Sequence, residues 1–129
     1  MSAMVKVSVI IPVYNVAPYL GECLDSVIQQ SLTDIEIICI DDCSTDDSSF
    51  LLKKYAESDI RIRLFYNERN RDLSFTRNRG LKESCGEYVF FLDSDDALYD
   101  NEVLKELYII AEQDDAELVS GRTVNWFPD

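Results

Sequence analysis

The 129-residue chain contains no histidine and only four glycines. Without histidine, a catalytic triad built on imidazole and a metal site with imidazole ligands are both excluded. A general base must then be a carboxylate, and a bound metal must accept oxygen ligands, which favours Mg²⁺ or Mn²⁺ over Zn²⁺. The glycines form neither a G-x-G-x-x-G motif nor a P-loop, so two common phosphate-binding motifs are absent; they are Gly21, Gly80, Gly86 and Gly121.

Positive charge is also scarce, because 12 Lys and Arg residues face 25 Asp and Glu residues for a net charge of −13. Such a chain does not bind nucleic acid by neutralising phosphates, so nucleic acid is not an expected partner. No apolar run approaches the roughly 18–20 residues of a membrane-spanning helix. Apolar residues make up 47% of the chain, which predicts one globular domain over residues 1–129.

Cysteine is limited to four residues, none of them in a C-x-x-C pair. They are Cys23, Cys39, Cys43 and Cys85. This spacing, with Cys39 inside an apolar run, favours reduced intracellular thiols that fill core positions over a disulfide frame or a zinc site.

What the chain does contain is an alternation of apolar strands and amphipathic helices. Runs rich in β-branched and aromatic residues predict strands at 5–11, 35–40, 62–66, 88–92 and 118–120, the first closed by Pro12. Apolar residues at helical spacing predict a helix after each of the first four strands, with Ser44 capping the second helix and Asp100 the fourth. The alternation predicts an α/β fold, a mostly parallel sheet flanked by helices on both faces.

Two of the predicted strands end in clusters of acids. Asp41 and Asp42 follow the second strand, and residues 93–96, Asp-Ser-Asp-Asp, follow the fourth. Parallel strands finish at one edge of their sheet, where ligands bind in open α/β folds, so we expect the two clusters to meet in space. Carboxylates gathered without lysine neighbours repel one another, and a divalent cation relieves that repulsion.

Residues 93–95 form a D-x-D triplet directly after a buried strand, a position that lets two carboxylates face one cation. A calcium-binding loop that starts at Asp93 would need Gly in its sixth place and Glu in its twelfth. Those places hold Leu98 and Leu104, which excludes that alternative.

Two further sets of residues have a structural and a functional interpretation. Asp41 and Asp42 belong either to a helix cap or to a site where a carboxylate accepts from a nucleobase N–H or a ribose hydroxyl. Arg77, early in the third helix, lies either on an exposed basic face or where its planar guanidinium binds a phosphate.

Four segments, taken in order, resemble the nucleotide-binding half of family 2 glycosyltransferases, which have the GT-A (Rossmann-like) fold. They are VSVIIPVYN at 7–15, IDDCSTD at 40–46, TRNRGL at 76–81 and GEYVFFLDSDD at 86–96. The resemblance extends over about residues 5–121, and four ordered motifs are far more specific than any one of them.

The resemblance implies a role for each matching residue. Pro12, Val13 and Tyr14 would line the nucleotide pocket, with Tyr14 against the base. Asp42, next to Asp41, would bind the base, typically uracil.

The same resemblance places Arg77 near the donor phosphates or base, and Asp93 with Ser94 near the ribose or sugar. Asp95, together with Asp93, would ligate the Mg²⁺ or Mn²⁺ ion that bridges the diphosphate. That ion would stabilise the charge that develops on the leaving nucleoside diphosphate.

The implied activity is transfer of a sugar from a nucleotide-diphosphate sugar, a UDP-sugar, to a hydroxyl of a saccharide or lipid-linked acceptor. Inversion at the anomeric carbon and a setting in polysaccharide or glycoconjugate synthesis follow from the same resemblance, as does peripheral association with the cytoplasmic face of the membrane. The catalytic base of inverting members is expected beyond Asp129. We therefore expect a single GT-A domain that stops before the acceptor-binding half and binds nucleotide with little turnover.

Three residues depart from the family pattern. Cys43 stands where Gly is frequent, Thr76 where Ala is common, and Asp72 where a Gly often precedes Leu-Ser. Two alternatives remain open: a non-catalytic nucleotide-binding module with this fold, and a receiver-type signalling domain. A receiver needs an acid pair after the first strand and a Lys after the fifth, whereas residues 12–15 and 120–122 supply neither.

Overall fold

The computed structural model describes residues 4–114 as alternating strands and helices. The strands are β1 (Val7–Val13), β2 (Ile35–Asp41), β3 (Ile62–Tyr66) and β4 (Tyr88–Phe91). The helices are α1 (Ala17–Ile28), α2 (Ser48–Ser58), α3 (Leu73–Glu83) and α4 (Val103–Gln113). None of these helices is long and apolar enough to cross a membrane. The predicted strand at 118–120 lies outside the described residues.

The four strands form one parallel sheet in the order β3-β2-β1-β4. This confirms the predicted α/β fold with a parallel sheet. The direction in which strands are added reverses between β1 and β4, and ligands bind at the carboxyl ends of strands beside such a reversal. The order also excludes the receiver alternative, because the receiver order places β1 between β2 and β3.

Helices cover both faces of the sheet because the side chains of each strand alternate between its faces. The larger core joins Val9, Ile11 and Ile37 to apolar residues of α1, α2 and α4. The opposite face carries a smaller cluster of Ile10, Ile38 and Ile40, against which α3 packs.

Helix α3 lies close to the sheet because Gly80 has no side chain. A Cβ atom at Gly80 would overlap Cγ2 of Ile10 and lie 2.9 Å from Cδ1 of Ile40. Any larger residue at this position would push the helix away from the sheet.

The prediction that Pro12 closes the first strand is wrong, since β1 runs on to Val13. The N–H of Leu92 donates to the carbonyl of Ile10 at 3.0 Å, so the backbone of Ile10 faces β4. Pro12, two residues later, faces the same side beyond the last β1–β4 pair, which is Ile10 with Phe91. Its missing N–H therefore costs the sheet no hydrogen bond.

Both predicted helix caps are also wrong. Helix α2 begins at Ser48 after Asp47, because the Ser44 hydroxyl instead accepts from the N–H of Asn15 at 3.0 Å. Helix α4 begins after Glu102, whose N–H donates to the Asp100 carboxylate at 2.8 Å.

The cap of α3 was not predicted. Asp72, which departs from the family pattern, accepts from the N–H of Phe75 at 2.7 Å. The departure therefore stabilises the start of the helix that carries Arg77.

All four cysteines are free thiols. Cys23 and Cys39 are buried in the larger core, as predicted. Cys43 and Cys85 are exposed, so the prediction that the thiols fill core positions is wrong for these two. Cys43 has a φ of 63°, a backbone conformation in which glycine is favoured.

The amino ends of the strands are joined by a buried network around Glu36. Its carboxylate accepts from the Ser8 hydroxyl at 2.6 Å, from the Cys85 N–H at 2.7 Å and from Arg63 at 2.9 Å. The Ser8 hydroxyl in turn accepts from the Gly86 N–H at 2.8 Å. This network fixes the edge of the sheet opposite the acidic clusters.

Candidate functional site

The loops that follow β1, β2 and β4 meet at the carboxyl edge of the sheet, because these strands are parallel neighbours. Tyr14, Asp42 and Asp93 are among the first residues of these loops. The structure therefore brings the predicted site residues to one edge. Hydrogen bonds hold the side chains of four of them, Asp41, Asp42, Arg77 and Asp93.

An acidic turn after β4 gathers three carboxylates. One oxygen from each of Asp93, Asp95 and Asp96 lies within 4.8 Å of the others. The turn is closed by the N–H of Asp96, which donates to the carbonyl of Asp93 at 3.0 Å, while Leu92 is buried and anchors its start. Convergent carboxylate oxygens of this kind suit Mg²⁺ or Mn²⁺.

Asp96 was not among the predicted metal ligands, although it directly follows the D-x-D triplet. Burial raises the pKa of Asp96 above its ordinary value, and the neighbouring charges of Asp95 and Asp93 raise it further. A divalent cation would relieve this repulsion. The only sequence signal was the adjacent carboxylate itself.

The thiol of Cys23 on α1 lies next to the acidic turn, with its sulfur 3.8 Å from the carbonyl of Asp93. Burial, and then the charges of Asp96, Asp95 and Asp93, raise the pKa of Cys23 to about 12. The thiol is therefore neutral at physiological pH and neither competes for a cation nor acts as a nucleophile.

Arg77 reaches the acidic turn from α3. Its Nη2 lies 2.9 Å from a carboxylate oxygen of Asp93, and both side chains are partly exposed. The Nε atom of Arg77 is buried and has no hydrogen-bond partner among residues 4–114. Arg77 therefore contacts the acidic turn rather than pointing only at solvent, and its binding of a phosphate stays a prediction.

Asp42 is buried and holds the loop after β3. One of its carboxylate oxygens accepts from Asn67 Nδ2 at 2.8 Å and from the backbone N–H of Arg71 at 2.7 Å. The other accepts from Asn70 Nδ2 at 3.1 Å. These bonds were not predicted, because the only indication in the sequence is that two asparagines follow a strand.

Asp41 is also buried, and its carboxylate accepts from the N–H of Ser44 at 3.0 Å. The expectation that the two acidic clusters meet needs correction. They share the carboxyl edge, but β1 separates β2 from β4, and two strand spacings are about 10 Å. Neither Asp41 nor Asp42 belongs to the three-carboxylate group.

Tyr14 is the exposed member of the segment that follows β1. Pro12 and Val13 are buried within the strand, whereas 47% of Tyr14 is exposed. Asn15 then adopts a φ of 50°, and its side-chain oxygen accepts from the N–H of Thr45 at 2.8 Å. This bond ties the loop after β1 to the loop after β2. Ser94, in the acidic turn, is buried.

Comparisons with known proteins agree on one family. The model of "Glycosyl transferase family 2" matches residues 8–129. Glycosyltransferase GlyA of Streptococcus pneumoniae is 50% identical over 91 residues, which are 70% of this chain and 13% of GlyA.

Two solved structures share the fold. A crystal structure of S. aureus TarS 1-349 in complex with UDP-GlcNAc has a TM-score of 0.80 at 32% identity, covering 93% of this chain and 37% of that one. Mannosyltransferase PcManGT from Pyrobaculum calidifontis in complex with GDP-Man and Mn2+ has a TM-score of 0.73 at 27% identity, covering 80% of this chain and 31% of that one. The chain therefore spans well under half the length of these proteins.

Proposed function

The chain belongs to glycosyl transferase family 2, and on that premise we propose that it is the donor-binding part of a glycosyltransferase that uses a nucleotide-diphosphate sugar. The observation that carries this proposal is the acidic turn with Arg77 beside it. Both lie next to the reversal between β1 and β4, where open α/β sheets bind ligands. Groups suited to a cation and to a phosphate thus lie close together at this edge, which supports the proposal.

Asp93, Asp95 and Asp96 would hold Mg²⁺ or Mn²⁺, an ion that supplies Lewis-acid stabilisation of charge on a leaving diphosphate. Arg77 contributes a second positive charge. Its Nη2 is committed to Asp93, while Nη1 makes no hydrogen bond to residues 4–114 and has donors left for a phosphate oxygen. The ion pair with Asp93 would thus hold the guanidinium beside the diphosphate of a bound donor.

The base and ribose would lie between the two acidic clusters. Tyr14 offers an exposed aromatic face for stacking. Asp42 and Asp41 would accept from the base through lone pairs that the loops do not use, and Ser94 would contact the ribose or sugar. In this arrangement Pro12 and Val13 support Tyr14 from within the strand.

We assign the donor as a UDP-sugar, because the TarS complex with UDP-GlcNAc resembles this chain more closely than the PcManGT complex with GDP-Man does. The acceptor is proposed to be a saccharide or lipid-linked hydroxyl, attacked with inversion, in polysaccharide or glycoconjugate synthesis near the cytoplasmic face of the membrane. We propose that acceptor binding and the general base belong to the parts of such enzymes that lie outside the stretch similar to this chain.

The proposal is tested by calorimetric titration of UDP into the protein, first with Mn²⁺ and then with EDTA. We expect binding with Mn²⁺ and at least about a tenfold loss of affinity in EDTA or in the Asp95→Asn variant. Asp114→Asn is the matched control, since it makes the same chemical change at an exposed position after α4.

UDP that binds equally well in Mn²⁺ and EDTA, or an Asp95→Asn variant with unchanged affinity, would overturn the metal assignment. A folded protein that binds no UDP under either condition would overturn the donor assignment.

A further inference from the structure

A cleft lies beyond the end of β3, the outer strand of the sheet on the side away from β4. Its volume is about 560 Å³, and it opens between the loop that starts at Asn67 and the first turns of α3. Three arginines line it: Arg69, Arg71 and Arg79. Glu68 is the only acid among its lining residues. We call this feature the arginine cleft.

The arginines of this cleft have no acidic partner among the described residues, although acids outnumber basic residues in the chain by 25 to 12. Within residues 4–114, no carboxylate oxygen lies within 4.0 Å of any of the three guanidinium groups. Arg61, Arg63 and Arg77, in contrast, each have such a partner.

Two acids near the cleft, Asp42 and Asp72, accept hydrogen bonds from backbone N–H groups. The Asp42 carboxylate is bonded to the loop, and the Asp72 carboxylate caps α3. Three arginines against the single carboxylate of Glu68 leave the cleft with a net positive charge in a strongly acidic protein, which suits it electrostatically to an anion.

Two of the guanidinium groups are held in place. Arg79 Nη1 donates to the Tyr66 carbonyl, and to Asn67 Oδ1 at 2.9 Å. The guanidinium of Arg71 stacks on the ring of Phe75, 3.9 Å from its centroid, and the Arg71 backbone is fixed by Asp42. Groups that are ordered before binding lose little entropy on binding. The cleft is therefore organised without a ligand.

The arginine cleft is separate from the acidic turn. Tyr66 ends β3, whereas the acidic turn follows β4, and these strands are three spacings apart, or about 14 Å. Arg77 and Arg79 are two residues apart on α3, which turns them about 200° from each other. Arg77 accordingly serves the acidic turn and Arg79 the cleft.

We propose that the arginine cleft is a metal-independent binding site for a phosphate-bearing ligand. Arginine's planar fork matches the geometry of phosphate oxygens, and three such groups suit a ligand with more than one oxyanion. The partly exposed ring of Tyr66 provides a surface for an organic group attached to the phosphate. The site goes beyond the proposed donor site, and the loop that Asp42 holds adjoins both.

The test uses inorganic pyrophosphate as the probe, titrated calorimetrically in EDTA at low salt, so that the acidic turn holds no cation. Wild-type protein should bind it. The double variant Arg69→Gln/Arg71→Gln should lose about tenfold or more in affinity, since each guanidinium contributes charge-assisted hydrogen bonds. Arg79 is left intact because its bonds to Tyr66 and Asn67 support the fold.

The matched control is Lys53→Gln/Lys54→Gln on α2, which removes the same charge and, at Lys54, a comparable contact with an aromatic ring. The control should bind pyrophosphate like the wild type. An equal loss in both double variants would show a general charge effect and overturn the proposal, as would absence of pyrophosphate binding by the folded wild-type protein. Asp95→Asn should keep pyrophosphate binding in EDTA, so failure of the donor site and failure of this cleft are distinguishable.

A second arm identifies the source of the phosphate. Sedimentation with phosphatidylglycerol vesicles, against phosphatidylcholine vesicles, should show retention that Arg69→Gln/Arg71→Gln abolishes if the ligand is a lipid headgroup. Pyrophosphate binding without retention on vesicles would support a soluble phosphate ligand.

Discussion

Asp42 is the residue that connects the candidate donor site with the arginine cleft. Its carboxylate belongs to the candidate donor site and accepts hydrogen bonds from Asn67, Asn70 and the backbone of Arg71. Asn67 and Arg71 also line the cleft. Bonds to a charged acceptor are stronger than neutral ones, so the ionised carboxylate is a main support of this loop.

We expect Asp42→Asn to lower the free energy of unfolding by about 1–3 kcal/mol, because its amide nitrogen would face a donor that the carboxylate now satisfies. UDP affinity should fall in parallel. Urea denaturation measures the first effect, with Asp47→Asn as control, since Asp47 makes no side-chain capping bond. An unchanged unfolding midpoint in Asp42→Asn would contradict this role.

Single residues also show where the sequence was informative and where it was not. Contacts between residues close in the sequence could be predicted, as for the carboxylates of Asp93 and Asp95 in the D-x-D triplet. Partners distant in sequence were not: the hydroxyl of Ser44 bonds to Asn15, 29 residues earlier, and is therefore unable to cap α2. Likewise, nothing in the sequence indicated that Arg69 and Arg71 would face Arg79.

Among the secondary-structure elements, α3 carries one arginine of each candidate site. Arg77 on this helix reaches the acidic turn, and Arg79 lines the arginine cleft. Because Gly80 has no side chain, the helix packs closely against Ile10 and Ile40. Its distance from the sheet thus sets the position of both arginines.

Gly80→Ala should therefore destabilise the protein despite alanine's higher helix propensity of about 1 kcal/mol. The added methyl group would overlap the stiff, β-branched Ile10 side chain, and overpacking of this kind costs about 1–3 kcal/mol. Gly21→Ala on α1 is the comparison, because its nearest neighbour is the Tyr55 hydroxyl at 3.3 Å. In chemical denaturation, the free energy of unfolding of Gly80→Ala should be lower than that of the wild type, and that of Gly21→Ala should be equal or higher. The reverse order would refute this packing argument.

The type and order of the elements were predictable because burial leaves a periodic apolar pattern. Val27 and Leu24 on α1 and residues 37–40 on β2 follow that pattern and are buried. Element ends were less predictable, since they depend on hydrogen bonds across the sheet. The end of β1 beyond Pro12 is the clearest case, because it depends on where β4 stops.

At the scale of the whole molecule, the carboxyl and amino ends of the strands carry different groups of residues. The carboxyl edge carries the candidate ligand sites, and the amino edge carries the Glu36 network. Burial acts to raise the pKa of Glu36, but hydrogen bonds from Ser8, Cys85 and Arg63 outweigh it and hold the pKa below its ordinary value of 4.5. A depressed carboxylate pKa stabilises the fold above that value, and the stabilisation is lost as pH falls through the folded-state pKa.

We expect Glu36→Gln to lower the free energy of unfolding by about 1–3 kcal/mol at pH 7, since three donors lose a charged acceptor. The difference from wild type should shrink as the pH falls below 4.5, because Glu36 is protonated first in the unfolded state and then, at its lower folded-state pKa, in the folded protein. Urea titrations at several pH values measure it, with Glu57→Gln on α2 as an exposed control. A difference that stays constant down to pH 3 would contradict the assignment.

The position of the Glu36 network also bears on how readily the protein changes its ligands in evolution. The hydrogen bonds that link the amino ends of all four strands lie at the edge away from the loops after β1, β2 and β4. Substitutions in those loops therefore leave this anchorage intact, and loop-borne function on a fixed scaffold diversifies at little cost to folding. A library randomised at Tyr14, in the loop after β1, should accordingly yield many folded variants, which makes the carboxyl edge the place to select for new ligands.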